Sequence, residues 1–217
     1  MNSSIVPPNA SIQSSTRWWK SALPWILAGA AAVPVSILVH ELGHHFFAVA
    51  FGFQGATLHY FSATYTLEQS MLDFMARGDR AGVASILPLW KIALNAAAGP
   101  GIEYFLILPV CLLAAKFTPN PFVIALGVMP FLRAFPEMMI ALSAPTLLDD
   151  ENTAAFAMGL PASSLHLVGF FISLAAAFWL VRRIPPEKMR AALISMAIGV
   201  LAGAVVYLGF LGPWLLP

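Results

Sequence analysis

The chain has 217 residues, of which 59 % are hydrophobic and 10 % are charged, and its formal net charge is +1. A soluble domain usually carries about 25 % charged residues, so this composition predicts an integral membrane protein in contact with a lipid bilayer. The small net charge gives no reason to expect a nucleic-acid partner, and the single Cys111 excludes an internal disulfide.

Five apolar segments are long enough to cross a bilayer, because a spanning helix needs about 20 apolar residues. The sequence therefore predicts an all-α, multi-pass integral membrane protein of the cell membrane, with about five transmembrane helices. The predicted spans are, in chain order, about Pro24–Phe51, Val83–Ala115, Pro121–Ala144, Ala162–Val181 and Met189–Leu211. The predicted organisation is a polar N-terminal tail (1–21), a membrane core (22–160) and two C-terminal packing helices (161–217).

The chain between the first two spans is predicted to stay at the membrane surface. Ala56–Thr66 is rich in aromatic and β-branched residues, which favours a short membrane-associated strand or hairpin over a helix. Leu67–Arg80 then sets apolar residues against charged ones, a pattern typical of a short amphipathic helix.

The first span carries the pattern with the most chemical content, His40-Glu41-Leu42-Gly43-His44. Residues four apart share one face of a helix, so His40 and His44 can offer two imidazoles to one metal ion. Zn²⁺ prefers such ligands, and a third protein ligand would leave one coordination position open for water. Glu41 lies beside the pair, where its carboxylate could take a proton from that water. Three ionisable groups in an apolar helix indicate a function, whereas packed core histidines are the plainer alternative.

Three acidic residues are candidates for the third ligand. Asp149 and Asp150 follow the third span, and residue chemistry alone does not choose between them. Either could instead cap a helix, because Asp is favoured at an N-cap. Glu137 has a similar predicted depth to the histidines, but it could equally form a buried ion pair with Arg133.

Other polar residues have less specific interpretations. Asn95 is a candidate catalytic residue because its side chain could hydrogen-bond a developing oxyanion, although it could also join two helices. Glu103, counted from Val83, is predicted at the far membrane interface. The isolated histidines His59 and His166 are predicted to be structural.

Two further elements accompany the motif helix, namely Ala98-Gly99-Pro100 in the second span and an aspartate after the third. Together with the His40–His44 motif they resemble the site-2 protease family of intramembrane zinc metalloproteases. The resemblance covers about Ile26–Leu160. It implies a zinc endopeptidase that hydrolyses a peptide bond within or next to the bilayer, with a membrane-protein or membrane-peptide substrate.

The resemblance also bears on the third ligand. Asp150-Glu151, followed by small and apolar residues and then Gly-Leu-Pro, is similar to a branch of the family in which the first acid of the pair is the aligned one. Asp150 is therefore favoured. Two positions depart from the usual family pattern: Glu103 stands where an asparagine is usual, and Leu148-Asp149-Asp150-Glu151 replaces the common Leu-Asp-Gly.

The sequence leaves two alternatives open for the function of the protein and two for its orientation in the membrane. A catalytically silent membrane zinc protein that binds a partner is the rival function, while a transporter fits less well because the acids cluster at one side. With five spans, seven Lys or Arg residues fall on the side of the membrane that holds the N-terminus, and two fall on the opposite side. The positive-inside rule therefore predicts a cytoplasmic N-terminus. The family resemblance instead places the zinc site near the cytoplasmic face. The oligomeric state is left open.

Overall fold

The computed structural model describes residues 10–143 and 149–216, with side chains described from Lys20 onwards. Within these residues, five helices are long and apolar enough to cross a membrane. They cover Lys20–Ala50, Ala98–Phe117, Pro121–Ser143, Ser164–Val181 and Pro186–Leu215. The chain is therefore a multi-pass integral membrane protein of the all-α class, as its composition predicts.

The elements follow one another in a simple order. The first helix, α1, covers Ala10–Ala50, and the strands β1 and β2 cover Thr57–Leu58 and Ala63–Thr64. The remaining helices are α2 (Gln69–Ala76), α3 (Arg80–Ile86), α4 (Leu89–Ala96), α5 (Ala98–Ile102), α6 (Leu108–Phe117), α7 (Pro121–Ser143), α8 (Asp150–Met158), α9 (Ser164–Val181), α10 (Pro186–Val206) and α11 (Gly212–Leu215). Five-residue π-helical turns join α5 to α6, over Glu103–Ile107, and α10 to α11, over Tyr207–Leu211.

The first helix begins at Ala10, well before its predicted start at Pro24. Polar residues predicted to form a tail therefore continue the helix of the first span. Extending an existing helix costs little, since each added residue gains a hydrogen bond without a new nucleus. Residues 1–9 of the predicted tail lie outside the described residues, as do residues 144–148 before the aspartates.

The prediction of one continuous second span over Val83–Ala115 is wrong. The helix breaks at Leu87, which is extended because it precedes Pro88. A further turn at Ala97 separates α4 from α5, so the membrane span begins only at Ala98.

The segment between α1 and α4 contains the predicted short β segment, which forms a hairpin. β1 and β2 pair in antiparallel fashion, with Thr57 opposite Thr64. The predicted amphipathic helix over Leu67–Arg80 is divided into α2 and the start of α3. The division falls at Gly78, whose positive φ of 70° ends the helical path.

Apolar packing forms two clusters of buried side chains. The larger joins α1, α6, α7, α9 and α10 around Ile124 and Leu180, both fully buried. The smaller joins α2, α3, α4 and α8 around Met71, Val83 and Phe156. The short helices thus form a cap at one end of the membrane-spanning bundle.

The last span packs lengthwise against α1 through glycines. A Cβ at Gly203 would lie 2.5 Å from the Ala30 carbonyl oxygen, and Gly29 makes an equally close approach to α10. Small residues of this kind let membrane helices approach closely. Near the end of this span, the Tyr207 hydroxyl donates a hydrogen bond of 2.7 Å to the Tyr60 carbonyl. This contact ties the hairpin turn to the C-terminal part of the chain.

Candidate metal centre

Two imidazoles and one carboxylate meet beside the cap of short helices. His40 and His44 lie one turn apart on α1, are both 6 % exposed, and have Nε2 atoms 3.1 Å apart. Asp150, the first residue of α8, places its Oδ2 atom 3.0 Å from each of these nitrogens. One donor atom from each residue lies within 4.8 Å of the other two, so the group could hold a metal ion. We refer to these three residues as the His–His–Asp centre.

Asp150 enters this centre as an anion. Burial would raise the pKa of its carboxyl group, but hydrogen bonds and positive charge from the imidazoles of His40 and His44 in the metal-free centre hold this pKa below its ordinary value. A negatively charged ligand of this kind favours a divalent cation.

Close packing of α5 against α1 shapes the space around the imidazoles. A Cβ at Gly99 would lie 2.6 Å from His40 Nε2 and closer still to His44 Nε2. A Cβ at Gly43 would lie 2.6 Å from the Ala98 carbonyl oxygen. Any larger residue at position 99 would fill the space in front of the two nitrogens, so the glycine leaves them open to a ligand.

The hydrogen bond of His44 fixes its tautomer. Its Nδ1 atom lies 2.7 Å from the Asn95 carbonyl oxygen, which can only accept, so Nδ1 carries the proton and donates it. In the neutral ring, Nε2 then presents a lone pair towards Asp150 Oδ2 and His40 Nε2. Such atoms, 3.0 and 3.1 Å apart, repel one another unless a proton or a metal ion lies between them. The donor set therefore suits a cation, and imidazole and carboxylate are both zinc ligands.

The other two candidates for the third ligand have different partners. Asp149 caps α8 by accepting a hydrogen bond of 2.7 Å from the Asn152 backbone N–H. Glu137 pairs with the guanidinium group of Arg133 at 2.9 Å. This is the ion pair that the sequence suggested as the alternative to metal binding by Glu137. Of the three candidates, the structure brings Asp150 to the two histidines.

Glu103 also lies at this centre, so its predicted place at the far membrane interface is wrong. Its side chain is 2 % exposed, and its Oε2 atom lies 3.7 Å from His40 Nδ1. Ser36 and Arg133 donate hydrogen bonds to its two oxygens, at 3.2 and 2.9 Å. The prediction fails because it counts depth from α3, whereas the span begins with α5. The signal that the sequence did carry is an acid within an apolar span, which by itself indicates a site.

Arg133 gathers three glutamates beside the His–His–Asp centre. Its guanidinium group donates to Glu103 and Glu137, each at 2.9 Å, and to Glu151 at 3.0 Å. The three carboxylates belong to the π-helical turn after α5, to α7 and to α8. Buried charges need partners, so this cluster fixes the start of α8 against the membrane spans.

Glu41 faces a cavity of about 400 Å³ beside the centre. Its Oε2 atom accepts a hydrogen bond of 2.7 Å from the backbone N–H of Ala63 in β2. His44 and Asp150 line the same cavity, together with residues of the hairpin and α4. The predicted base therefore shares one accessible space with two of the predicted ligands.

Asn95 and Tyr65 also line this cavity. The Asn95 side chain is 1 % exposed, and its Oδ1 atom has no hydrogen-bond partner among the described residues. Asn95 contacts His44 through its backbone carbonyl, which accepts the hydrogen bond from His44 Nδ1. Burial raises the pKa of the Tyr65 hydroxyl, which interacts with the Asn95 side chain and stays protonated. Sequence analysis did not predict Tyr65 as a site residue, because its sequence context does not distinguish it from the other aromatic residues of Ala56–Thr66.

Comparison with known proteins assigns no family to this chain. No protein-family model, no curated protein and no solved structure matches it. The resemblance to the site-2 protease family therefore rests on the motif residues themselves.

Proposed function

We propose that the protein is a zinc endopeptidase that hydrolyses a peptide bond within or next to the bilayer. The observation that carries the proposal is the position of Asp150 Oδ2, which lies 3.0 Å from the Nε2 atoms of both His40 and His44. Three protein ligands are typical of catalytic zinc sites, because they leave a coordination position free. A Zn²⁺ ion bound there would supply a Lewis acid that polarises a peptide carbonyl and acidifies water.

Glu41 is the proposed general base. It borders the cavity that His44 and Asp150 also line. The Ala63 N–H holds one of its carboxylate oxygens, which leaves the other free to accept a proton from water. The same carboxyl group would then pass that proton to the leaving amine.

Two cavities reach the centre and suit separate entry of a membrane substrate and of water. The second cavity, of about 450 Å³, lies between α1, α7 and α10 and reaches the same carboxylates, Glu41 and Asp150. Apolar side chains, including Phe61, Met129 and Leu208, form part of its lining. In the proposed reaction, a substrate segment enters through this apolar cavity while water enters through the first. Water must reach the centre because hydrolysis consumes it, and it can also hydrogen-bond the backbone of an unwound substrate, which lipid cannot do.

The rival function is a membrane zinc protein without catalytic activity. Such a protein needs the three ligands, but it has no use for a further carboxylate beside them. Keeping Glu41 half-buried costs free energy, and its place on the rim of a cavity supports a catalytic role.

Cleavage can be tested in liposomes that contain the purified protein and a library of single-span membrane peptides, with fragments identified by mass spectrometry. We expect fragments with the wild type, none after chelation of zinc, and recovery when Zn²⁺ is returned. Asp150→Asn should lose cleavage, whereas Glu187→Gln, which removes an exposed acid at the start of α10, should keep it. Zinc binding without any fragment would favour the silent protein.

A further inference from the structure

A second group of metal-ligating side chains lies beside the His–His–Asp centre. The Nε2 atom of His166, on α9, lies 3.5 Å from Asp149 Oδ1 and 3.9 Å from Glu151 Oε2. One donor atom from each of the three residues lies within 4.8 Å of the other two. These separations are too long for hydrogen bonds. They suit ligands around one ion, since tetrahedral ligands at about 2.1 Å from a metal lie roughly 3.4 Å apart.

His166 is the residue that points to a ligand. Its side chain is 2 % exposed, and neither ring nitrogen has a hydrogen-bond partner among the described residues. Buried polar groups normally have hydrogen-bond partners, so a buried imidazole that lies at ion-pair distance from two carboxylates and forms a hydrogen bond with neither is unusual. A cation between Nε2 and the carboxylates would satisfy all three groups.

Both carboxylates keep oxygens that can bind such a cation. Glu151 accepts a hydrogen bond from Arg133 through Oε1, at 3.0 Å, while its Oε2 atom faces His166. Asp149 accepts hydrogen bonds from the backbone and side-chain N–H groups of Asn152, at 2.7 and 2.9 Å. A carboxylate has about four lone-pair sites, so Oδ1 can still act as a ligand. These hydrogen bonds hold the two acids in place.

The local charge also favours a second cation. The guanidinium group of Arg133 is shared by three glutamates. Two aspartates lie next to them, one at the N-cap of α8 and one at its first residue. Five carboxylates thus surround one guanidinium, and this excess of acidic groups favours the binding of cations. The five carboxylates belong to Glu103, Glu137, Asp149, Asp150 and Glu151.

We propose that Asp149, Glu151 and His166 bind a second divalent metal ion of the first transition row. Imidazole and carboxylate ligands together suit such ions, and Zn²⁺ is the appropriate probe. The ion would join the start of α8 to α9. Because Asp150 lies between two of its ligands in the chain, the ion would also hold Asp150 in position. This site does not depend on peptide hydrolysis.

The metal content per chain tests this proposal on the purified full-length protein after saturation with Zn²⁺ and removal of unbound metal. We expect two equivalents in the wild type and one in either Glu151→Gln or His166→Phe. Glu137→Gln is the matched control, because it removes the same charge from Arg133, and it should keep two equivalents. One equivalent in the wild type would overturn the proposal, as would two that persist in both variants. Should His166→Phe fail to fold, Glu151→Gln decides alone.

His44→Ala separates the two sites. It should retain one equivalent of zinc, and adding His166→Phe should remove that equivalent. Loss of the second ion should also lower the Zn²⁺ affinity of the His–His–Asp centre roughly tenfold. A metal content unchanged by His44→Ala would contradict the proposed function, whereas a loss caused by Glu151→Gln would still support the second site.

Discussion

The backbone N–H of Ala63 donates a hydrogen bond of 2.7 Å to Glu41 Oε2. This bond crosses from the hairpin to the first membrane helix and orients the carboxylate of the proposed base. The turn of the hairpin is held by a second hydrogen bond, which the Tyr207 hydroxyl donates to the Tyr60 carbonyl at 2.7 Å. The C-terminal span therefore supports the position of Glu41 in addition to packing against α1.

Ala63→Pro removes the N–H that Glu41 uses. A hydrogen bond to a charged group contributes about 1.5–3 kcal/mol, so we expect peptide cleavage to fall roughly 10- to 100-fold. The zinc content should stay the same, because no ligand is changed. Ala63→Val keeps the N–H in the same strand and serves as the control. Equal losses in both variants would show that the shape of the strand matters rather than its N–H.

Glu103→Gln should weaken Zn²⁺ binding about 10- to 100-fold, as the loss of outer carboxylates does at other metal sites. The Glu103 carboxylate lies 3.7 Å from His40 Nδ1 and orients that ring through its charge, which an amide lacks. Competition with a chromophoric chelator measures the affinity. Glu137→Gln removes another acid from Arg133 without touching His40, and it should bind zinc like the wild type. If Glu103→Gln and Glu137→Gln bind Zn²⁺ with equal affinity, Glu103 does not contribute to metal binding at the centre.

Gly99→Ala should abolish zinc binding at the His–His–Asp centre. Its Cβ would lie 2.6 Å from His40 Nε2 and closer still to His44 Nε2, in the space that an ion needs. Gly101→Ala is the control, because a Cβ there meets no described atom within 4 Å. Metal analysis should be combined with thermal unfolding of both variants. An alanine at position 99 that leaves the zinc content intact would show that the imidazoles can move aside.

Local patterns in the sequence predict several features of this structure correctly. The number of spans and the hairpin follow from hydropathy and residue type, and the pairing of His40 with His44 follows from their four-residue spacing. The start of the second span was missed, because apolar composition does not distinguish α4 in the cap from a spanning helix. Without that boundary Glu103 could not be placed. Tyr65 and His166 meet their neighbours through tertiary packing, which no local pattern encodes, and metal binding and hydrolysis stay predictions.

The orientation of the protein can be tested with single cysteines at Ser70 and Glu187. Both positions are exposed, on α2 in the cap and at the start of α10 at the opposite end of the bundle. In a Cys111→Ala background, an impermeant thiol reagent is applied to intact cells. If the metal centre faces the cytoplasm, as the family resemblance implies, position 187 is labelled and position 70 is not. Labelling at position 70 alone would favour the orientation given by the Lys and Arg count.

The proposed role of Glu41 is tested most directly by measuring zinc content and peptide cleavage on one preparation of Glu41→Gln. The substitution keeps the shape of the side chain and removes the base, while His40, His44 and Asp150 stay unchanged. We predict wild-type zinc content and a fall in cleavage of roughly 100- to 10,000-fold, the usual contribution of a general acid–base residue. Undiminished cleavage by the zinc-loaded variant would contradict the mechanism.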